Sequence, residues 1–266
     1  MKAGYLQFKP EFCKPAKNIE AIQRLTGNID FDLLVMPELA NSGYFFSDAS
    51  EVAASSEEIP GGDFCKALFT IAKEHNAYIA AGLNERFEDK FYNSSVLVYP
   101  TGEFRIYRKT HLFNEEKKWF APGNTPPDVF DILVDGKIFK IGMMICFDWI
   151  FPETARTLAL KGAQVICHPS NLVLQYCQKA MFTRAVENRV FTITANRTGT
   201  ESSRGKELKF TGCSVIVDPK GNYLHSGSET ADECIIIEIN PTEALDKYVT
   251  PLNHIFEDRR PEFYKN

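Results

Sequence analysis

No stretch of this 266-residue chain is both long and apolar enough to sit in a bilayer. The most apolar stretch, Ile138 to Ile150, is interrupted by Lys140 and Asp148. The N-terminal residues Met1-Lys2-Ala3-Gly4-Tyr5-Leu6-Gln7-Phe8-Lys9 lack the apolar run of a secretory signal. The expectation is therefore no membrane partner and a cytoplasmic location. Positive charge is in short supply: 30 Lys and Arg against 35 Asp and Glu leave a formal charge of −5. The basic runs, such as Arg259-Arg260, stand among acids and read as solvated surface, so nucleic acid is not expected as a partner. Cys-x-x-Cys pairs are absent although there are seven cysteines. That argues against structural zinc, and an odd count without a signal argues against a disulfide framework. No repeat, low-complexity tract or Gly/Ser/Pro linker divides the sequence. It reads as one domain over 1–266, with a tail from about 250 to 266.

What is present is ordinary core-forming material, 44% hydrophobic and 24% charged, enough for one sizeable unit. Short β-branched or aromatic runs predict strands at 2–8, 31–36, 77–83, 92–99, 103–107, 138–145, 163–168, 190–195, 212–218 and 233–239. Pro100-Thr101-Gly102 joins two of them as a hairpin. Helices are predicted over about 15–27, 63–75 and 175–189, and from Pro152, a good first helical residue, to a stop at Gly162. In 63–75, Phe64, Leu68, Ile71, Ala72 and His75 share one face. Many strands with a few outer helices imply two packed sheets covered by helices, a layered α/β sandwich.

One cysteine stands apart by position. Cys146 ends the strand-like run from Lys140 to Ile145 and precedes the helix start at Pro152. A strand-to-helix turn lifts a side chain out of the sheet. A helix N-terminus favours a thiolate, and free backbone N–H groups there can bind an oxyanion. A free thiol near its usual pKa of ~8.5 still needs a base. Taken alone, Cys146 is equally well a buried structural cysteine, as the other six are expected to be. Cys167 adjoins His168, but strand neighbours point to opposite faces, so they are not a dyad.

Two charged residues are candidate partners for such a cysteine. Glu38 follows the apolar strand ending at Met36-Pro37, and the loop Ala40-Asn41-Ser42-Gly43-Tyr44 comes after it. Carboxylates at strand C-termini occupy the usual place of α/β active sites, where burial raises the pKa toward that of a useful base. A solvent-facing glutamate is the plain alternative. Lys109 leaves a strand within Arg108-Lys109-Thr110-His111 and is equally readable as a surface lysine. His111 and His168 are conceivable bases, though a lone histidine is more often structural.

Together, the segments Met36-Pro37-Glu38-Leu39, Arg108 to Phe113 with Phe120-Ala121-Pro122-Gly123, and Ile141 to Asp148 with Phe151-Pro152-Glu153 resemble the nitrilase superfamily of carbon–nitrogen hydrolases. Lys161-Gly162-Ala163, His168-Pro169-Ser170-Asn171 and Arg184 to Arg189 match in the same order, so the likeness runs from Lys2 to Arg260. It implies a four-layer α-β-β-α sandwich, usually a homodimer or larger assembly, and a Glu38–Lys109–Cys146 triad. A second glutamate is carried best by Glu116, with Glu115 as the alternative. The resemblance places Phe147 at the oxyanion and Tyr44, Phe113, Trp149 and Asn171 around the substrate. It implies hydrolysis of small aliphatic amides or nitriles through a Cys thioester, without metal or cofactor. N-carbamoyl amine hydrolysis and a catalytically idle binding protein are the alternatives. Many members follow the cysteine with Tyr-Asp-x-Arg; here Phe147-Asp148-Trp149-Ile150 has no arginine, which weakens transfer of any one substrate.

Overall fold

A computed structural model describes residues 1–264. Two six-stranded sheets form its centre. In the first, β1 (Lys2–Gln7), β2 (Leu33–Val35) and β3 (Tyr78–Phe87) run parallel. This trio is extended by β4 (Lys90–Val98) and β5 (Phe104–Arg108) on one side and by β14 (Glu233–Glu238) on the other, all antiparallel to their neighbours. The second sheet repeats the plan. Its parallel trio is β7 (Lys137–Met143), β8 (Val165–Pro169) and β9 (Phe191–Ala195), flanked by β6 (Val129–Val134) and by β12 (Val215–Val217) with β13 (Tyr223–Ser226).

Alternation along the strands builds the layers. Tyr5, Leu33, Val35, Tyr78 and Ala80 turn inward to share one core with Ile141, Val165 and Ile193 of the second sheet. Their neighbours Leu6, Leu34, Ile79 and Ala81 turn outward, against Ile22 of α1 (Pro15–Thr26) and Phe64, Leu68 and Ile71 of α3 (Asp63–His75). On the far side, α5 (Pro152–Leu160) and α6 (Cys177–Asn188) cover the second sheet through Leu158, Met181 and Ala185. The result is the four-layer α-β-β-α sandwich implied above. Burial on both faces explains why the central strands read as continuous apolar runs.

Several elements differ from the sequence-based expectation. Strand β6 was not expected, although Asp135-Gly136 between β6 and β7 is a hairpin signal; both residues take positive φ, 50° and 72°. The short helix α2 (Ala49–Ala54), the strand β13, and the hairpin of β10 (Thr200–Ser203) and β11 (Lys206–Lys209) were also missed. A one-turn helix α4 (Glu116–Trp119) follows the Lys109 segment. A 3-10 turn over Cys146–Ile150 separates the cysteine from α5. The expected tail carries a small hairpin, β15 (Tyr248–Thr250) with β16 (Asn253–His254), and a 3-10 turn at Pro261–Phe263; residues 265 and 266 lie outside the described residues. Among the described residues no helix is long and apolar enough to cross a membrane.

Candidate active site

Glu38 lies just beyond the C-terminal end of β2, in a turn clamped onto β3. The Gly82 N–H donates to the Pro37 carbonyl at 3.0 Å, and the Gly82 carbonyl accepts from Ala40 N–H at 2.9 Å. A side chain at position 82 would meet the Glu38 Cα at 2.4 Å, so only glycine permits this approach. Lys109 follows β5 and is fixed in the same manner: its carbonyl accepts from Gly123 N–H at 2.8 Å, where a Cβ would strike the Arg108 carbonyl. The Pro122-Gly123 pair therefore serves the lysine from a distance in sequence.

The two side chains meet in the interior. Lys109 Nζ donates to Glu38 Oε1 at 2.7 Å and to Glu116 Oε1 at 2.8 Å. The Glu38 and Lys109 side chains are fully buried. Glu116 also accepts from Tyr44 Oη at 2.8 Å and from Phe113 N–H at 3.1 Å. Glu115 instead faces solvent and pairs with Lys118, so the geometry separates the two glutamates. Glu38 Oε1 takes a second bond, from Asn93 Nδ2 of β4 at 2.7 Å, while its buried Oε2 has no partner among the described residues. Burial pushes the Lys109 ammonium toward neutrality, but Glu116 and Glu38 together outweigh it and hold its pKa well above the ordinary value. Burial raises Glu116, with Lys109 opposing and Glu38 adding to the rise.

Cys146 ends the β7 segment with φ of 41°, a left-handed conformation strained for a non-glycine residue. His168 and Asp148 hold that elbow. His168 Nε2 donates to the Cys146 carbonyl at 2.9 Å, while its Nδ1 accepts from the Thr194 hydroxyl at 3.0 Å. Asp148, fully buried, accepts from Ile145 N–H, from Tyr107 Oη at 2.8 Å and from His111 Nδ1 at 2.8 Å. Asp148 thus ties the cysteine turn to the segment carrying Lys109. Burial drives His168 down to about 4, which keeps it neutral at physiological pH. It supports the cysteine backbone and is not placed as a base. Cys167 points the other way, into the core, as neighbours in a strand must.

One expectation is corrected here. A helix N-terminus was expected to favour the thiolate. Burial, followed by the charge of Glu38, instead pushes the Cys146 thiol well above its ordinary value; Lys109 opposes this and Glu116 adds to it. The helix that was to help starts only at Pro152, beyond the 3-10 turn.

Phe113, Phe147, Trp149 and Asn171 line one cavity with Cys146. Tyr44 lies in an adjoining cavity with Phe113, Glu116 and Trp119, and Val173 borders both. Phe113 also borders both cavities, and the charges of Glu38, Lys109 and Glu116 act on the Cys146 thiol. Sequence reasoning missed Asn93, Asp148, Tyr107 and Glu201. Glu201, on β10, accepts the N–H groups of Tyr44 at 3.0 Å and Phe45 at 2.7 Å, and is itself bound by buried Arg197. A signal existed for two of them: Asn93 opens a polar triplet inside the apolar strand β4, and Asp148 is the one charge in Ile145 to Phe151. Among the described residues no cluster of His, Cys, Asp or Glu is arranged to hold a metal.

Known proteins share this architecture and sequence. The carbon–nitrogen hydrolase family model matches residues 3–245. A Pyrococcus abyssi protein named nitrilase is 44% identical over 267 residues, covering 99% of each chain. An (R)-stereoselective amidase from a Pseudomonas species is 32% identical over 86% of this chain and 80% of its own. Among solved structures, an amidase from Nesterenkonia sp. AN1, with acrylamide added to its active-site cysteine, superposes with a TM-score of 0.77 at 25% identity, covering 99% of this chain and 98% of that one. The chain belongs to the carbon–nitrogen hydrolase family and is a hydrolase of the nitrilase and amidase type.

Proposed function

We propose that this enzyme hydrolyses small aliphatic amides through a thioester on Cys146, with Glu38 as general base and acid, Lys109 and the Phe147 N–H as oxyanion donors, and Glu116 as the group that orients Lys109. One observation carries the reading. Glu38 is anchored through Oε1 by Lys109 and Asn93, while its buried Oε2 has no partner among the described residues. A buried carboxylate oxygen normally finds a donor. An anchored carboxylate with one free oxygen beside a thiol is positioned to take a proton.

The charge count explains why the proton moves during attack rather than before it. Two carboxylates already face one ammonium, so a resting thiolate would add to a negative excess. As sulfur attacks the carbonyl carbon, a C–S bond forms and the π pair moves to oxygen. Glu38 takes the thiol proton, and the new charge sits on an oxygen that Lys109 and Phe147 can reach. Collapse breaks the C–N bond, Glu38 returns its proton to the leaving nitrogen, and ammonia departs. Water, deprotonated by Glu38, then attacks the thioester; the C–S bond breaks, the carboxylic acid leaves and the thiol is restored. Tyr44, kept protonated by burial and by Glu116 and Glu38, remains a donor to Glu116 throughout.

A panel of matched aliphatic amides and nitriles, read by ammonia release, tests this. Cys146→Ala should lower turnover by about 10⁴-fold or more. Undiminished hydrolysis by that variant would remove Cys146 as nucleophile.

A further inference from the structure

Asn171 follows the end of β8 and is 3% exposed, yet neither its Nδ2 nor its Oδ1 has a hydrogen-bond partner among the described residues. Other buried carboxamides nearby are engaged. Asn196 donates to Thr211 and Gly212 and accepts from Leu172 N–H. Asn171 also borders the cysteine directly: its backbone N–H faces the Cys146 sulfur, and both residues line one cavity. Of the other walls, Phe113, Phe147, Leu172, Val173 and Leu174 are apolar, Trp149 offers one N–H donor and Cys177 a weak thiol, so only Asn171 presents a strong donor and a strong acceptor together. A cavity-lining carboxamide whose donor and acceptor are both unclaimed by the described residues is matched by a ligand that presents an acceptor and a donor together.

We propose that the Asn171 side chain is a specificity-determining group that selects substrates presenting an acceptor and a donor side by side at the reacting end, so that a primary carboxamide is favoured over the corresponding nitrile. This rests on Cys146 being the nucleophile. A primary amide pairs head to tail with Asn171: its carbonyl accepts from Nδ2 and its N–H donates to Oδ1. A nitrile nitrogen accepts one hydrogen bond and donates none, so the Asn171 Oδ1 stays buried and unpaired when a nitrile binds. A site built around a polar partner discriminates strongly against the analogue that lacks it.

The experiment compares kcat/KM for propionamide and propionitrile in the wild-type enzyme, in Asn171→Leu and in Asn171→Ala. The wild type should prefer the amide. Either variant should lose about tenfold or more on the amide and less on the nitrile, shifting the ratio toward the nitrile by about tenfold. The leucine variant should melt no lower than wild type, because it removes an unsatisfied buried polar group; the alanine variant keeps the comparison open if leucine overfills the cavity. A wild type that prefers the nitrile, or a ratio that does not move in a folded variant, overturns the assignment of Asn171. If the wild type turns over neither substrate and Cys146 is never acylated, the nucleophile reading falls first and this inference with it.

Discussion

Arg108 and Lys109 are chain neighbours at the end of β5, yet they enter buried ion clusters of opposite character. Arg108 makes a bidentate pair with Glu85, at 2.9 Å and 2.5 Å, and Ser94 Oγ completes the carboxylate at 2.5 Å. Its guanidinium lies over Tyr92 and Phe87, at 4.1 Å and 4.4 Å from the ring centres. One cation meets one anion and both oxygens are used. Lys109, pointing to the other face, meets two carboxylates, and one oxygen of Glu38 is left over. The balanced cluster has nowhere for a proton to go. The unbalanced one has a vacant lone pair next to a thiol held neutral. What separates scaffold from chemistry here is charge balance and hydrogen-bond completeness, since both clusters are buried.

This contrast can be broken by paired substitutions. Glu38→Gln should lower kcat by about 10²–10⁴-fold, the usual contribution of a general base, while leaving the melting temperature near wild type. The remaining Lys109–Glu116 pair is balanced, so the fold loses little. Glu85→Gln should do the reverse, costing about 3 kcal/mol of stability because Arg108 is left without its anion, with kcat within about twofold. Chemical denaturation and steady-state kinetics on both proteins read this directly. Equal losses of activity in the two variants would erase the distinction.

A smaller effect sharpens the role of His168. Its pKa of about 4 in the fold lies below the unfolded value of about 6.5. Above pH 6.5 the ring is neutral in both states and contributes no pH dependence. As pH falls below 6.5 the unfolded chain takes up a proton that the native protein refuses until about pH 4, so stability drops in that window. Between pH 7 and pH 5 this amounts to about 2 kcal/mol. His168→Gln keeps a donor for the Cys146 carbonyl and cannot titrate, so its stability should fall less steeply over the same range. Identical slopes would mean that His168 is not buried in its neutral form.

The layered architecture was legible because strands buried on both faces leave continuous apolar runs, and helices such as 63–75 carry a one-sided stripe. The hairpin of β10 and β11 was not, because Thr200-Glu201-Ser202-Ser203 shows no apolar alternation and is held by Arg197 from outside the segment. Glu38, Lys109 and Cys146 were each locally indistinguishable from a solvated glutamate, a surface lysine and a core cysteine. Their order among matching segments singled them out. Asn93, Asp148 and His168 act through burial and three-dimensional contact, which one-dimensional spacing does not encode. The direction of the Cys146 shift was misjudged for the same reason: the helix end was visible in sequence, whereas the burial of the thiol was not.

The proposed hydrolysis requires a covalent bond to one sulfur, that of Cys146. Rapid acid quench of the enzyme during amide turnover, followed by peptide mass analysis, should find the acyl group of the substrate on the peptide containing Cys146. Continued turnover with that peptide unmodified, or with the acyl group on another residue, would contradict it.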